Sequence, residues 1–264
     1  MSTSPGTTTS ASRAADVLLL FSDESDRLGI SEIARRLDLS KAVVHRIVVS
    51  FVEKRLLMAE RDRTYRLGPA MAALGARALR GSTLRAVAVP YLDGLRDATG
   101  ETATLSSLIN DRRVYLAQAE GLSEIKMTVE IGRRYPLHVG SSGRCILAFQ
   151  PDDVITELLD DVGVTGPDAE AVRQQLAQAR ASGWTASLGE RQQGAGSVAA
   201  PVFNLDGRAI GAVSVCGPIH RMTPEANARH ATAVSQVAQK VSRGLGWHGG
   251  LPDPATVVIT RPVA

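Results

Sequence analysis

Two periodicities divide this chain. Apolar residues first recur at the i, i+3, i+4, i+7 spacing of amphipathic helices, and later alternate one by one as in strands. Ala14, Val17, Leu18 and Phe21 predict a helix opening at Ser12. After the polar turn SDESDRLG, Ile33, Ala34 and Leu37 predict a second helix with Ser31 as its N-cap. Ser40 caps a third, KAVVHRIVVSFVEKR, which turns Val44, Ile47, Val48, Phe51 and Val52 inward. Two short strands follow around a basic tip, Arg61-Asp62-Arg63.

Helix, helix, tight turn, helix and basic hairpin is the order of a winged helix-turn-helix. The third helix is long enough to enter a major groove while the wing reaches the backbone. The face of the third helix opposite its core carries Ala42, Arg46, Val49 and Glu53, flanked by His45 and Ser50, with Ser40 and Lys41 at its start. Arg46 is the candidate for reading a base. Lys41, Lys54, Arg55, Arg61, Arg63 and Arg66 are candidate phosphate contacts, which position without specifying. The expected partner is a double-stranded DNA operator.

Gly68-Pro69 opens an Ala-rich linker helix over 69–82. Beyond it, Leu84, Val87, Ala88, Tyr91 and Leu95 line a helix that stops at Gly100. TATLSSLI, RVYLAQAE and IKMTVEI read as three strands, and SSGRCILAF, PDDVITELLD and DAEAVRQQLAQARASG as helices. WTASL, GAGSVAAPVFN and RAIGAVSVCGP are further strands, the last two joined by the turn Asp206-Gly207, before a closing helix through Val234, Val237, Ala238, Val241 and Leu245. The expected class is α+β: a disordered leader (1–11), the winged helix-turn-helix (12–68), the linker helix (69–82), a mainly antiparallel second domain (83–246) and a flexible tail (247–264).

Net charge is +3 over 264 residues, but its distribution is uneven. Residues 10–80 hold 13 Lys/Arg against 9 Asp/Glu, and the remainder 17 against 18, which suits a polyanion partner at the N-terminal side. No apolar run reaches the ~20 residues of a membrane span, and the N-terminus MSTSPGTTTSAS lacks the features of a signal peptide. Two cysteines make no disulfide framework, so the expected location is the cytoplasm. His45, His138, His220, His230 and His248 are scattered without metal-ligand spacing. The GxGxxG and P-loop patterns of nucleotide cofactors are absent. Neither a metal, a cofactor nor a catalytic residue is expected.

Ser141-Ser142-Gly143 at a helix start reads either as an anion cradle or as a plain cap. Ser214 and Cys216 share one face of a strand, and point either into a pocket or into a core. GERQQGAGS reads as a mobile glycine-rich loop over the pocket.

The segments ISEIARRLDLSKAVVHRIVVSFVEKRLL, YRLGPAMAALG, PLHVGSSGRCILAF and GERQQGAGSVAAPVFNLDGRAIGAVSVCGPIHRMT, in this order, resemble the IclR family of bacterial transcriptional regulators over about residues 12–246. The resemblance implies a GAF-like effector domain, homodimers or tetramers, and repression or activation of a nearby operon. Carried over by motif, the effector positions are Ser141, Ser142, Ser197, Ser214 and Cys216. Ser187 stands where some relatives have an acidic residue, with Glu190 nearby, and Arg144 stands where Lys is usual. The expected effector is a small organic acid held on the serines, with Val213, Val215 and Ile146 as apolar walls and Arg133 and Arg134 steering it in. Two alternatives stand beside this reading: a redox enzyme built on a GAF-like domain, and an architectural DNA-binding protein that senses nothing.

Overall fold

The structure is a computed structural model that describes residues 10–23 and 27–256. Positions 1–9 of the leader, 24–26 of the polar turn and 257–264 of the tail lie outside the described residues. The chain divides after Gly81 into two compact units.

The first unit holds α1 (Ser10–Leu20), β1 (Leu28–Gly29), α2 (Ile30–Arg36), α3 (Lys41–Glu53), β2 (Leu57–Ala59), β3 (Thr64–Leu67) and α4 (Pro69–Gly81). Val17, Phe21, Ile33, Val44 and Val48, from the inward faces that the 3.6-residue period marks out, meet Leu28 of β1 and Leu57 of β2 in its core. The Ser40 side chain accepts the Val43 N–H at 3.3 Å, capping α3 as expected. Two other caps differ. The chain is already helical at Ser10, so Ser12 lies inside α1 and the leader ends before it. The N-cap of α2 is Gly29, not Ser31, because strand β1 runs directly into the helix. β1 pairs with β3 at Leu28–Tyr65 and Gly29–Thr64, giving a three-stranded sheet in the order β1-β3-β2. Two residues are too few for alternation to reveal a strand.

The second unit opens with α5 (Thr83–Thr99), capped by the Ser82 hydroxyl and ended by Gly100 at φ 73°. Its six-stranded antiparallel sheet is built from β4 (Thr102–Ile109), β5 (Arg112–Ala119), β6 (Arg134–Pro136), β7 (Thr185–Leu188), β8 (Ala195–Phe203) and β9 (Ala209–Pro218), in the order β6-β5-β4-β9-β8-β7. One face packs on α5 and α9 (Pro224–Gly244) through Leu84, Leu92, Val213, Val215, Val234 and Val241. The other packs on α6 (Ser141–Ala148), α7 (Asp152–Asp161) and α8 (Gly166–Ser182) through Ile146, Phe149, Leu159 and Leu176. With helices on both faces, β9 is buried along nearly its whole length.

Two expectations fail here. IKMTVEI is not a strand: Thr102 Oγ1 donates to the Met127 carbonyl and Gln118 Oε1 accepts the Val129 N–H, so side chains rather than a ladder hold this segment. The third strand lies further on, as β6. The tail is not loose over its described part. The Trp247 N–H bonds the Ser242 carbonyl, its ring packs against Phe203 at 6.3 Å, and Pro254 is buried.

Candidate functional site

In the first unit, α3 exposes Lys41, Ala42, His45, Arg46, Val49 and Ser50, the face that the period assigned away from the core. The small Ala42 leaves the backbone approachable. Arg61 and Arg63 stand exposed at the tip of the β2–β3 hairpin, where Asp62 Oδ1 accepts the Thr64 N–H and Arg63 takes φ 61°. No carboxylate engages Lys41, Arg46, Arg61 or Arg63 among the described residues, whereas Arg66 is tied to Glu60. Sequence reasoning missed Arg13 of α1, which shares a surface depression with Arg46 and Ser50. This is a cationic helix face with a cationic hairpin tip, the arrangement that reads a duplex groove.

In the second unit, the sheet and the start of α6 bring Ser141, Ser142, Ser187, Ser197 and Cys216 to one cleft, with Glu190 at its rim. Ser141 Oγ lies 2.7 Å from Ser197 Oγ. Ser142 Oγ donates to Ser214 Oγ at 3.0 Å, and Ser214 lies 2.6 Å from Thr104 Oγ1. Ser214 is therefore a second layer behind Ser142, not part of the cleft wall. The register explains the grouping: on β8 Ser197 faces Ser187 of β7 on one side and Cys216 of β9 on the other.

The start of α6 is already engaged. The Gly140 N–H donates to Glu190 Oε2 at 3.1 Å, and Arg144 clasps both oxygens of the same carboxylate, with 2.7 Å to Oε1. Burial pulls the Glu190 carboxyl upward, but the Arg144 hydrogen bond and charge and the Gly140 N–H outweigh it and hold it below the ordinary glutamate value. The helix start thus holds an anion supplied by the chain itself.

Arg113, Tyr115 and Arg191 of the cleft, and Tyr135 behind them, escaped the sequence reading. Arg113 of β5 is 1% exposed, with its guanidinium carbon 4.5 Å from the Tyr115 ring centre and 5.0 Å from that of Tyr135. Arg191 approaches the same rings, at 5.9 and 5.2 Å, and donates to the Tyr135 hydroxyl at 3.3 Å. No local pattern marked Arg113: Arg113, Val114 and Tyr115 are buried in succession, and a register shift opposite Leu105 and Ser106 puts Tyr115 on the cleft side while Ala117 and Ala119 join the core under α5 and α9.

Other expectations are corrected. Val213 and Val215 point to the opposite face, into the core with α5 and α9, and Ile146 packs in the core with α7 and α8. Tyr115 and Cys216 supply the apolar walls instead. Arg133 is paired with Glu130 at 3.1 Å, and Arg134 lies 3.9 Å from Asp111. Burial pushes the Cys216 thiol up to about 11 and the Cys145 thiol higher still, so both are protonated at neutral pH and poorly nucleophilic.

Comparison with known proteins decides the family. The model of the IclR helix-turn-helix domain matches residues 10–61, and that of the bacterial transcriptional regulator IclR C-terminal region matches residues 76–243. The chain belongs to the IclR family of bacterial transcriptional regulators. It is 34% identical to the glycerol operon regulatory protein of Streptomyces griseus over 244 residues, spanning 90% of this chain and 96% of the relative. An IclR transcriptional regulator from Alicyclobacillus acidocaldarius superposes with a TM-score of 0.75 at 28% identity, covering 90% of this chain and 98% of that one. An IclR homologue from Microbacterium hydrocarbonoxydans, solved with 4-hydroxybenzoate, gives 0.65 at 26% identity, covering 90% and 99%. Like these relatives, this IclR-family chain is a transcriptional regulator with a helix-turn-helix and a C-terminal IclR domain. No helix among its described residues is long and apolar enough to cross a membrane.

Proposed function

We propose that this regulator controls an operon of small-molecule metabolism, and that a small organic acid bound in the cleft of the second unit sets its affinity for the operator. One observation carries the effector reading: Arg113 and Arg191 face the cleft with no carboxylate partner among the described residues. A guanidinium withdrawn from water calls for a counter-anion. The serine hydroxyls of Ser141, Ser142 and Ser197 would orient it, and the bound 4-hydroxybenzoate of one relative is itself a carboxylate.

The cleft walls leave about 20 Å³, room for one water and not for an organic acid. Entry therefore requires the β7–β8 loop to move. Gly189 at φ 71° and Gly194 at φ 83° bracket that loop, and it carries Glu190, Arg191 and Gln192. An acid that exchanges the Glu190 clasp for its own contacts binds the two loop positions unequally, which is what regulation requires.

One helix-turn-helix covers a half-site, so the active species is a homodimer, or a tetramer of such dimers, on a palindromic operator. Its place of action is the cytoplasm, where the chromosome is. An operator selected from random duplexes would serve in fluorescence anisotropy, with calorimetry against a panel of aliphatic and aromatic acids. At least one acid should bind and change operator affinity by about 5–150-fold, and light scattering should return a dimer or larger. Acids that bind without changing operator affinity, or a monomer on an asymmetric site, would refute the scheme.

A further inference from the structure

The charges around the cleft carry the effector reading one step further. Arg144 and Glu190 cancel each other in a bidentate pair. The other carboxylate in electrostatic reach of Cys216, that of Glu101, is 4% exposed and is gripped by Arg221 at 2.6 and 2.9 Å. What remains is Arg113 and Arg191, two positive charges against the same two tyrosine rings. Ring faces offset part of the cost of desolvating a guanidinium, but a single negative charge would leave one of the two uncompensated. Arg113 is also short of acceptors: its Nε has no partner, and its Nη1 reaches Ser106 Oγ only at 3.5 Å.

The lining points the same way. Apart from Tyr115, Ala195, Cys216 and two glycines, the side chains that line the cleft carry hydroxyls, an amide and charges. An aromatic or fatty acid would find only Tyr115, Ala195 and Cys216 as apolar side-chain walls, whereas a short, oxygen-rich acid would also reach the serine hydroxyls and both guanidiniums. Building on the organic-acid reading above, we infer that the effector is a short aliphatic dicarboxylate, one carboxylate bound by Arg113 and the other by Arg191, with Ser141 and Ser197 bonding between them. Arg191 rides on the glycine-bracketed loop and Arg113 on the fixed sheet, so a dianion between them would latch the loop to the sheet.

Calorimetry on the full chain at pH 7.5 compares acids matched in length: succinate with butyrate, and malate with 3-hydroxybutyrate. Inorganic phosphate and 4-hydroxybenzoate complete the set. Succinate and malate should bind at least tenfold tighter than their monocarboxylate partners. Arg191→Gln should erase that preference, while Arg173→Gln, whose guanidinium bonds Thr156 away from the cleft, should keep it. Butyrate equal to succinate, phosphate stronger than both, 4-hydroxybenzoate alone binding, or Arg191→Gln retaining the preference would each overturn the dicarboxylate inference while leaving the acid effector standing. Binding by none of the acids would overturn both.

Discussion

Replacing Gly143 by alanine adds one methyl group to the first turn of α6, and the surroundings dictate its cost. The new Cβ would lie 2.5 Å from the Leu137 carbonyl oxygen and 3.0 Å from its carbonyl carbon. Both are backbone atoms, so no rotamer change relieves the overlap. Nor can the helix retreat, because every residue from Ser141 to Ala148 is buried. Overpacking of this kind costs about 1–3 kcal/mol, outweighing the gain of up to ~1 kcal/mol from replacing a helical glycine. A net loss of about 1–2 kcal/mol lowers the midpoint of a unit of this size by about 2–8 °C. The same change at Gly94, on the exposed side of α5, meets nothing within 4 Å and should stabilise by about 0.5–1 kcal/mol. Urea and thermal unfolding of the two variants beside wild type gives the comparison. Displacing α6 also shifts Ser141 and Ser142, so Gly143→Ala should blunt the acid response while binding operator normally without acid. A Gly143→Ala protein as stable as wild type would refute the close approach.

Arg46→Ala should cost operator binding about 1–3 kcal/mol and relax preference at one base pair, whereas Arg63→Ala should weaken all duplexes alike and reduce the salt slope by about one; anisotropy titrations over a salt series separate the two, and wild-type binding by Arg46→Ala would mean the face of α3 is misassigned. Ser40→Ala removes the hydroxyl that accepts the Val43 N–H and should cost the first unit about 1 kcal/mol in urea unfolding, with no change in the second. Burial lowers the histidine value of His138, helped by Arg112 and Arg144, and that of His230, helped by Arg229 against an opposing pull from Glu101. Both are then held neutral in the fold. The unfolded chain binds more protons, so their contribution is complete above the ordinary value of 6.5 and is lost as pH falls through the lower folded values. The urea midpoint of the second unit should fall between pH 7.5 and 5.5, and fall less in the His138→Gln/His230→Gln variant; equal slopes would refute the assignment.

Much of the fold was readable because its determinants are local. The inward positions of α3, the Ser40 cap, the Gly100 stop and the Asp206-Gly207 turn each depend on residues a few places apart, and the structure has them where periodicity and turn chemistry put them. The family too was legible, in motifs that need only be in order. The sequence reading set Val213 and Val215 in the same pocket as Ser214 and Cys216; parity told that Ser214 and Cys216 share a face of β9, but not which face looks into the cleft. That depended on which helices cover each side of β9: α5 and α9 on one, α6, α7 and α8 on the other. The same limit hid β1, whose two residues become a strand only because β3 lies alongside. It hid Arg113 as well, read as one more arginine until the sheet buried it against Tyr115 and Tyr135. The sequence alone determined most of the helices, the longer strands and the division into two units. The tertiary structure decided that Glu190 would fill the helix start and that two guanidiniums would be left facing the cleft. Those outcomes depend on charges brought together from distant segments, which no local pattern records.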